Sequence, residues 1–135
     1  MTARYLLDTN IISAMVDQPG GKVARRAAAL SDGSVATSVI VGGEIFFGIE
    51  KWLSTRLGLQ VAEILEGIPI LPIEPPVGET YGKLRATLEG KGTPIGANDT
   101  RIAAHALALN LTLVTDNESE FRRVDGLRVE NWLRE

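Results

Sequence analysis

The sequence predicts an α/β domain of three layers, α/β/α, with a mainly parallel central sheet. Two observations carry that prediction. Short runs rich in β-forming residues, among them Tyr5-Leu6-Leu7, Val35-Ala36-Thr37 and Leu111 to Thr115, alternate with longer segments whose apolar residues recur at helical spacing. Two of these runs close on an acid followed by polar turn residues, Asp8-Thr9-Asn10 and Asp116-Asn117. In an open α/β sheet, ligands bind beyond such carboxyl ends of strands.

Arg4 to Leu7 is the first strand, ended by Asp8. Thr9 to Val16 reads as a short helix through Ile11, Ile12 and Met15, and Asp17-Gln18-Pro19-Gly20-Gly21 ends it. Lys22 to Leu30 resumes as a helix until Ser31-Asp32-Gly33-Ser34 breaks it, and Val35-Ala36-Thr37 is a minimal strand. Ser38 is placed as the N-cap of a helix reaching Trp52, on which Ile40, Val41, Phe47 and Gly48 stand three or four residues from Glu44 and share its face. Gly42 and Gly43 weaken that helix, each by about 1 kcal/mol against alanine. Ser54 to Gly67 is a further helix, and Ile68 to Ile73 a short strand limited by Pro69 and Pro72. Pro76 to Glu89 is helical through Val77, Tyr81, Leu84 and Leu88, and Gly90-Lys91-Gly92 stops it. The next helix takes Asn98 or Asp99 as its N-cap, carries Ile102, Ala103, Ala106, Leu107 and Leu109, and ends at Asn110. After the strand Leu111 to Thr115, residues Leu127 to Trp132 form an edge strand with an aromatic plug. With no repeat, low-complexity tract or linker, residues 1–135 read as a single domain.

Composition narrows the chemistry. The absence of cysteine rules out disulfides and zinc–thiolate sites, and a lone His105 argues against imidazole-bound zinc. Any metal is therefore held by oxygen, which suits hard cations such as Mg2+ or Mn2+. The N-terminus lacks the apolar core of a signal peptide, and no apolar run approaches the roughly 20 residues that span a bilayer, so a cytoplasmic location without membrane contact is expected. A net charge of −3 neither selects nor excludes a nuclease, whose acidic centre offsets a basic rim.

Asp8, Glu44, Asp99 and Asp116 stand at element ends or on an apolar helix face, unlike Asp17, Asp32, Glu118 and Glu135 in solvated stretches. Carboxylates gathered within a few ångströms cannot all ionise unless a cation compensates them. A cluster of these four predicts a divalent metal and, with it, water activation for phosphodiester hydrolysis. Each acid also has an ordinary role: Asp8 and Asp99 as helix caps, Glu44 as a solvated helix residue, Asp116 as a turn former. His105 reads as structural, and Arg25-Arg26 and Arg122-Arg123 as solvated faces.

Asp8-Thr9-Asn10, Thr37-Ser38-Val39-Ile40 with Glu44 and Gly48-Ile49-Glu50-Lys51, Leu84-Arg85, Gly92-Thr93-Pro94-Ile95-Gly96 with Asp99, Ile102 to Ala106, Val114-Thr115-Asp116-Asn117, Phe121 and Trp132 together resemble a PIN-domain ribonuclease of the VapC toxin type. The match runs in order over nearly the whole chain. The resemblance implies a PIN-like fold and the toxin of a type II toxin–antitoxin system: an endoribonuclease that uses Mg2+ or Mn2+ to cut RNA and is silenced by a cognate VapB-like antitoxin. It implies Asp8, Glu44 and Asp99 as catalytic, metal-binding acids. Asp116 is taken as the fourth catalytic acid, although the family's spacing puts Asn117 at that place. Thr9, Asn10, Ser38, Thr115 and Asn117 are expected to orient the acids, and Arg101, Lys83 and Arg85 to hold RNA phosphates.

Other functional classes fit less well. A phosphoaspartate enzyme wants a second acid where Asn10 stands, and a receiver domain wants an acidic pair and a lysine after a late strand. The alternative from a different class is a catalytically silent PIN fold that only binds RNA or a partner. Phe46, Phe47 and Trp52, close together on one helix in a chain poor in aromatics, predict an interface, expected to be that of a homodimer that also receives an antitoxin segment.

Overall fold

The structure is a computed structural model and describes residues 2–134. Along the chain the elements are β1 (Tyr5–Leu7), α1 (Thr9–Asp17), α2 (Lys22–Ala28), β2 (Val35–Ser38), α3 (Val39–Trp52), α4 (Thr55–Leu65), β3 (Ile70–Leu71), α5 (Pro75–Gly90), α6 (Ala97–Ala108), β4 (Thr112–Val114), α7 (Glu118–Phe121) and β5 (Val129–Glu130). The strands form one sheet in the order β3-β2-β1-β4-β5, and every neighbouring pair is parallel. Leu7 sits between Thr37 on one side and Val114 on the other. From β1 the chain builds the sheet outward through β2 and β3, then crosses back to add β4 and β5. That reversal beside β1 is the topological switch point, where open α/β sheets bind ligands.

The strands are short but almost wholly buried. Leu6 and Leu7 on β1, and Leu113 and Val114 on β4, are all inaccessible to solvent. Consecutive strand residues point to opposite faces, so burial of both members of each pair means that helices cover the sheet on both sides. The expected three layers are thus present. Trp132 closes the β5 side: it is buried, packs edge-on against Tyr5 with ring centroids 5.2 Å apart, and carries the Arg26 guanidinium over its ring, 4.9 Å from the centroid.

Helix boundaries follow local chemistry. Ser38 caps α3 as expected, its hydroxyl accepting from the Ile40 N–H. At the end of α6, Asn110 adopts φ +57°, the Leu111 N–H returns to the Ala106 carbonyl and the Asn110 N–H to Leu107, which satisfies two of the orphan carbonyls. Gly92, at φ +69°, ends α5 by the same pair of bonds to Leu88 and Glu89. Two expectations are corrected. The N-cap of α6 is Gly96, so Asp99 lies in the first turn and its carboxylate is not spent on capping. The chain also forms α7, a four-residue turn of helix too short to leave a period in the sequence.

Candidate active site

The switch point gathers side chains from five elements. Asp8 follows β1 and caps α1, with its Oδ1 accepting from the Thr9 N–H at 2.8 Å, so the capping role and a place at the sheet edge coexist. The Thr115 hydroxyl, just past the neighbouring β4, donates to Asp8 Oδ2 at 2.7 Å, and the Asn10 amide nitrogen stands 3.5 Å from the same oxygen. Glu44 arrives from α3 and accepts from the Thr9 hydroxyl at 2.6 Å and from the Asn98 amide at 3.4 Å. Asp99 reaches in from the first turn of α6 and is hydrogen-bonded to Glu120 of α7. Asp8, Glu44, Asp99 and Asn117 line one open cleft of about 540 Å³, together with Thr9, Asn10, Ser13, Ala14 and Asp17.

The acids perturb one another. Burial raises the Asp8 pKa above the usual carboxylate range, the Thr115 and Thr9 hydrogen bonds oppose that rise, and the charges of Glu44 and Glu120 add to it. The Asp99 pKa is pushed up to about 7, first by burial, then by its hydrogen bond to Glu120 and by the charges of Glu120, Asp8 and Glu44. Glu120 moves the other way, held low by the bond from Asp99 and by donors from the Gly96 N–H at 2.9 Å and the Asn117 amide at 2.5 Å. The opposed shifts are those of two close carboxylates that together hold one proton more readily than either would alone.

The sequence reading of the fourth position does not match the geometry. The Asp116 carboxylate accepts from Asn131 at 2.9 Å and lies 3.8 Å from the Arg134 guanidinium, while its backbone N–H donates to Asn10. It does not line the cleft, whereas Asn117 does. The chain bends at Asp116, just past β4, and the two neighbouring side chains leave the bend in different directions. The additional carboxylate near Asp99 is Glu120, which the sequence reading passed over. The signal was present as Asn117-x-x-Glu120, the spacing of a capping box.

Ser38 and the basic residues also differ from expectation. The Ser38 hydroxyl is occupied by the α3 cap and by His105 Nδ1 at 2.8 Å, and it orients no acid of the cleft. His105 is fully buried in that contact, and burial lowers its pKa, opposed by the Pro72 carbonyl. Arg101 is one step from the cleft through Asn98, which accepts from it at 3.0 Å, and it shares a second cavity with Arg85. Lys83, two residues from Arg85 on α5 and so on the other side of the helix, lines a separate cavity with Lys91 and Arg123.

The side-chain ligands facing the cleft are oxygens of Asp8, Glu44, Asp99, Asp17, Asn10 and Asn117, which fit a hard divalent cation and not a thiophilic one. Among the described residues, no three acids are drawn in tightly enough to enclose an ion by themselves. Magnesium asks for less, since it keeps several waters and takes one or two carboxylates with the remainder from phosphate. Burial first, and then mutual repulsion, raises Asp8 and Asp99, and such a cation offsets both.

Comparison with known proteins agrees with this architecture. The family profile of the PIN domain matches residues 5–127. The chain belongs to the PIN-domain family. Within it, the chain is 37% identical over 130 residues to Ribonuclease VapC2 of Rickettsia felis, covering 95% of this chain and 97% of that protein. It is 34% identical over 130 residues to the tRNA(fMet)-specific endonuclease VapC of Shigella flexneri, covering 96% and 98%. The PIN fold is shared in detail with VapBC2 from Rickettsia felis bound to a DNA fragment from its promoter, at a TM-score of 0.87 and 35% identity over 95% of this chain and 98% of that one. Its relatives are VapC ribonucleases, so this PIN domain carries its acid cleft within a ribonuclease family.

Proposed function

We propose that this chain is the toxin of a toxin–antitoxin pair, an endoribonuclease that hydrolyses RNA phosphodiester bonds with Mg2+ or Mn2+. The observation that carries the proposal is the convergence of Asp8, Glu44 and Asp99 on one open, oxygen-lined cleft at the switch point, in a chain whose relatives are VapC ribonucleases. Asp8 and Asp99 would hold the cation, with Glu120 as the further carboxylate where Asp116 had been expected. A divalent cation bound there would neutralise the phosphate and acidify water at the site. Glu44, held by Thr9, would orient the attacking water and accept its proton. Thr115 and the Thr9 backbone fix the Asp8 rotamer, and Asn117 with the Gly96 N–H fixes Glu120. Arg101 and Arg85 contact backbone phosphates nearest the cleft, with Lys83 contacting RNA further away.

A VapB-like antitoxin is the expected partner, as in the VapBC neighbour. The same reading makes the chain a homodimer through the α3 aromatics. The test is cleavage of single-stranded RNA by purified protein with magnesium, with EDTA, and after Asp8→Asn. Cleavage is expected only in the first case, with growth inhibition on expression relieved by Asp8→Asn. RNA left intact by the magnesium-loaded wild type removes the nuclease reading and leaves a silent RNA- or partner-binding PIN domain.

A further inference from the structure

Beside the cleft, α3, α5 and α6 enclose a structured groove that the acid chemistry does not use. Tyr81 is its centre. Its hydroxyl accepts from Arg85 at 3.2 Å, and the Arg101 guanidinium stands 6.0 Å from its ring centroid. Arg85 is neutralised by Glu89 at 2.8 Å, whereas Arg101 forms no ion pair among the described residues and only bonds Asn98. Cavities open on two sides of the Tyr81–Arg101 pair. One, of about 170 Å³, has a mixed lining in which Arg85, Glu89, Thr100 and Arg101 stand among apolar residues such as Leu88 and Ile95. The other, of about 240 Å³, is apolar apart from Arg101 and is walled by Ile40, Ile73, Val77, Gly78 and Tyr81.

Both connect to the proposed site. Ile40 precedes Glu44 by four residues on α3, so a wall of the apolar cavity and Glu44 stand about one turn apart on one face of that helix. On the other side, Asn98 bonds both Arg101 and Glu44. A free guanidinium, an aromatic ring and an apolar slot next to a phosphodiester-cleaving centre are the components with which proteins hold a splayed nucleotide of single-stranded RNA.

We propose that the Tyr81–Arg101 groove is a nucleotide subsite, in which Arg101 holds the phosphate next to the scissile one and the flanking base stacks on Tyr81 in the Ile40–Ile73–Val77–Gly78 slot. This rests on the ribonuclease reading and extends it to substrate selection. The glycine makes the slot testable without removing any contact. Nothing lies within 4 Å of a Cβ built on Gly78, so Gly78→Leu fits the helix and projects into the space that the base would fill.

The experiment uses the full chain in EDTA and single-stranded RNA heptamers, each with 2-aminopurine at one position. Wild type is expected to quench the fluorescence at a defined position. Gly78→Leu and Tyr81→Leu are expected to lose that quench and to bind roughly tenfold more weakly or worse, while Tyr81→Phe keeps it. Circular dichroism melts establish that Gly78→Leu is folded, so a destabilised Tyr81→Leu does not decide the outcome. Unchanged affinity and quench in Gly78→Leu, or no quench by wild type at any position, overturns the subsite. Because no cleavage is needed, failure here is separable from failure of the magnesium assay, which tests the nuclease reading alone.

Discussion

At Asp116 and Asn117 two adjacent side chains divide the work of a strand end: one is bound to Asn131 on the outside, the other faces Glu120 and the cleft. Asp116→Asn should therefore leave RNA cleavage close to wild type, while Asn117→Ala or Glu120→Gln lowers it by about 10- to 100-fold, the usual loss when a group that orients a ligand is removed. Initial rates on one RNA substrate measure this, and a dead Asp116→Asn beside an active Glu120→Gln would reverse the assignment. Asp99 supplies a second prediction. Its pKa rises from the usual 3.8 to about 7 in the fold, so between those values the native state holds a proton that the unfolded chain has lost. The stability tied to that proton is complete below 3.8 and disappears as pH climbs to about 7. Glu120 acts in the opposite sense, but only near and below its ordinary 4.5. Asp99→Asn keeps an N–H donor for Glu120 and cannot ionise. In EDTA its melting temperature should gain on wild type from about pH 4 to pH 7 and level off above that, and a constant difference from pH 4 to pH 7 would show that Asp99 carries no raised pKa.

Among the elements, α3 has the most to explain, since it holds Glu44 and three exposed aromatics while containing Gly42, Gly43 and Gly48. Ser38 offsets part of that weakness by capping, a contribution of about 1 kcal/mol. Gly42 is buried with Ile70 and Phe46 in ordinary contact around its would-be Cβ, whereas Gly43 is exposed with nothing within 4 Å. Gly43→Ala should thus raise stability by about 0.5–1 kcal/mol, read from urea or thermal unfolding. A loss of stability would mean that α3 bends at Gly43 in a way that the straight helix does not show. The helix ends on β4's side obey the same local logic: Asn110 in the left-handed region stops α6 and lets the chain turn directly into the strand.

For the whole molecule, the exposed apolar surface lies on the α3–α4 side. Phe47 and Trp52 are 66% and 72% exposed and Leu53 and Leu59 similarly so, so these side chains do not fill the core. Exposed apolar surface of this kind is the property on which the proposed dimer rests. The double variant Phe47→Ser with Trp52→Ser should shift the protein from dimer to monomer in light scattering at micromolar concentration, with little change in unfolding of the protomer. A wild type that is already monomeric, and stays so when antitoxin is added, would contradict the interface.

Local order was legible in the sequence because it depends on near neighbours. Helical spacing, the cap at Ser38, and the stops at Gly92 and Asn110 are properties of a few consecutive residues, and strands separated by helices imply a parallel sheet. Asp8, Glu44 and Asp99 also stood out in the sequence, as acids at element ends or on an apolar helix face, and the structure brings the three to one cleft. Tertiary structure decided which of these groups meet. Thr115 reaches Asp8 across 107 positions of sequence only because β4 returns to lie against β1, and Glu120 joins Asp99 only because α7 folds back over the start of α6. The same return path turns Asp116 outward and takes the Ser38 hydroxyl for His105, whereas helical period alone separates Lys83 from Arg85. Periodicity specifies the face on which a residue stands, and strand order specifies what that face meets.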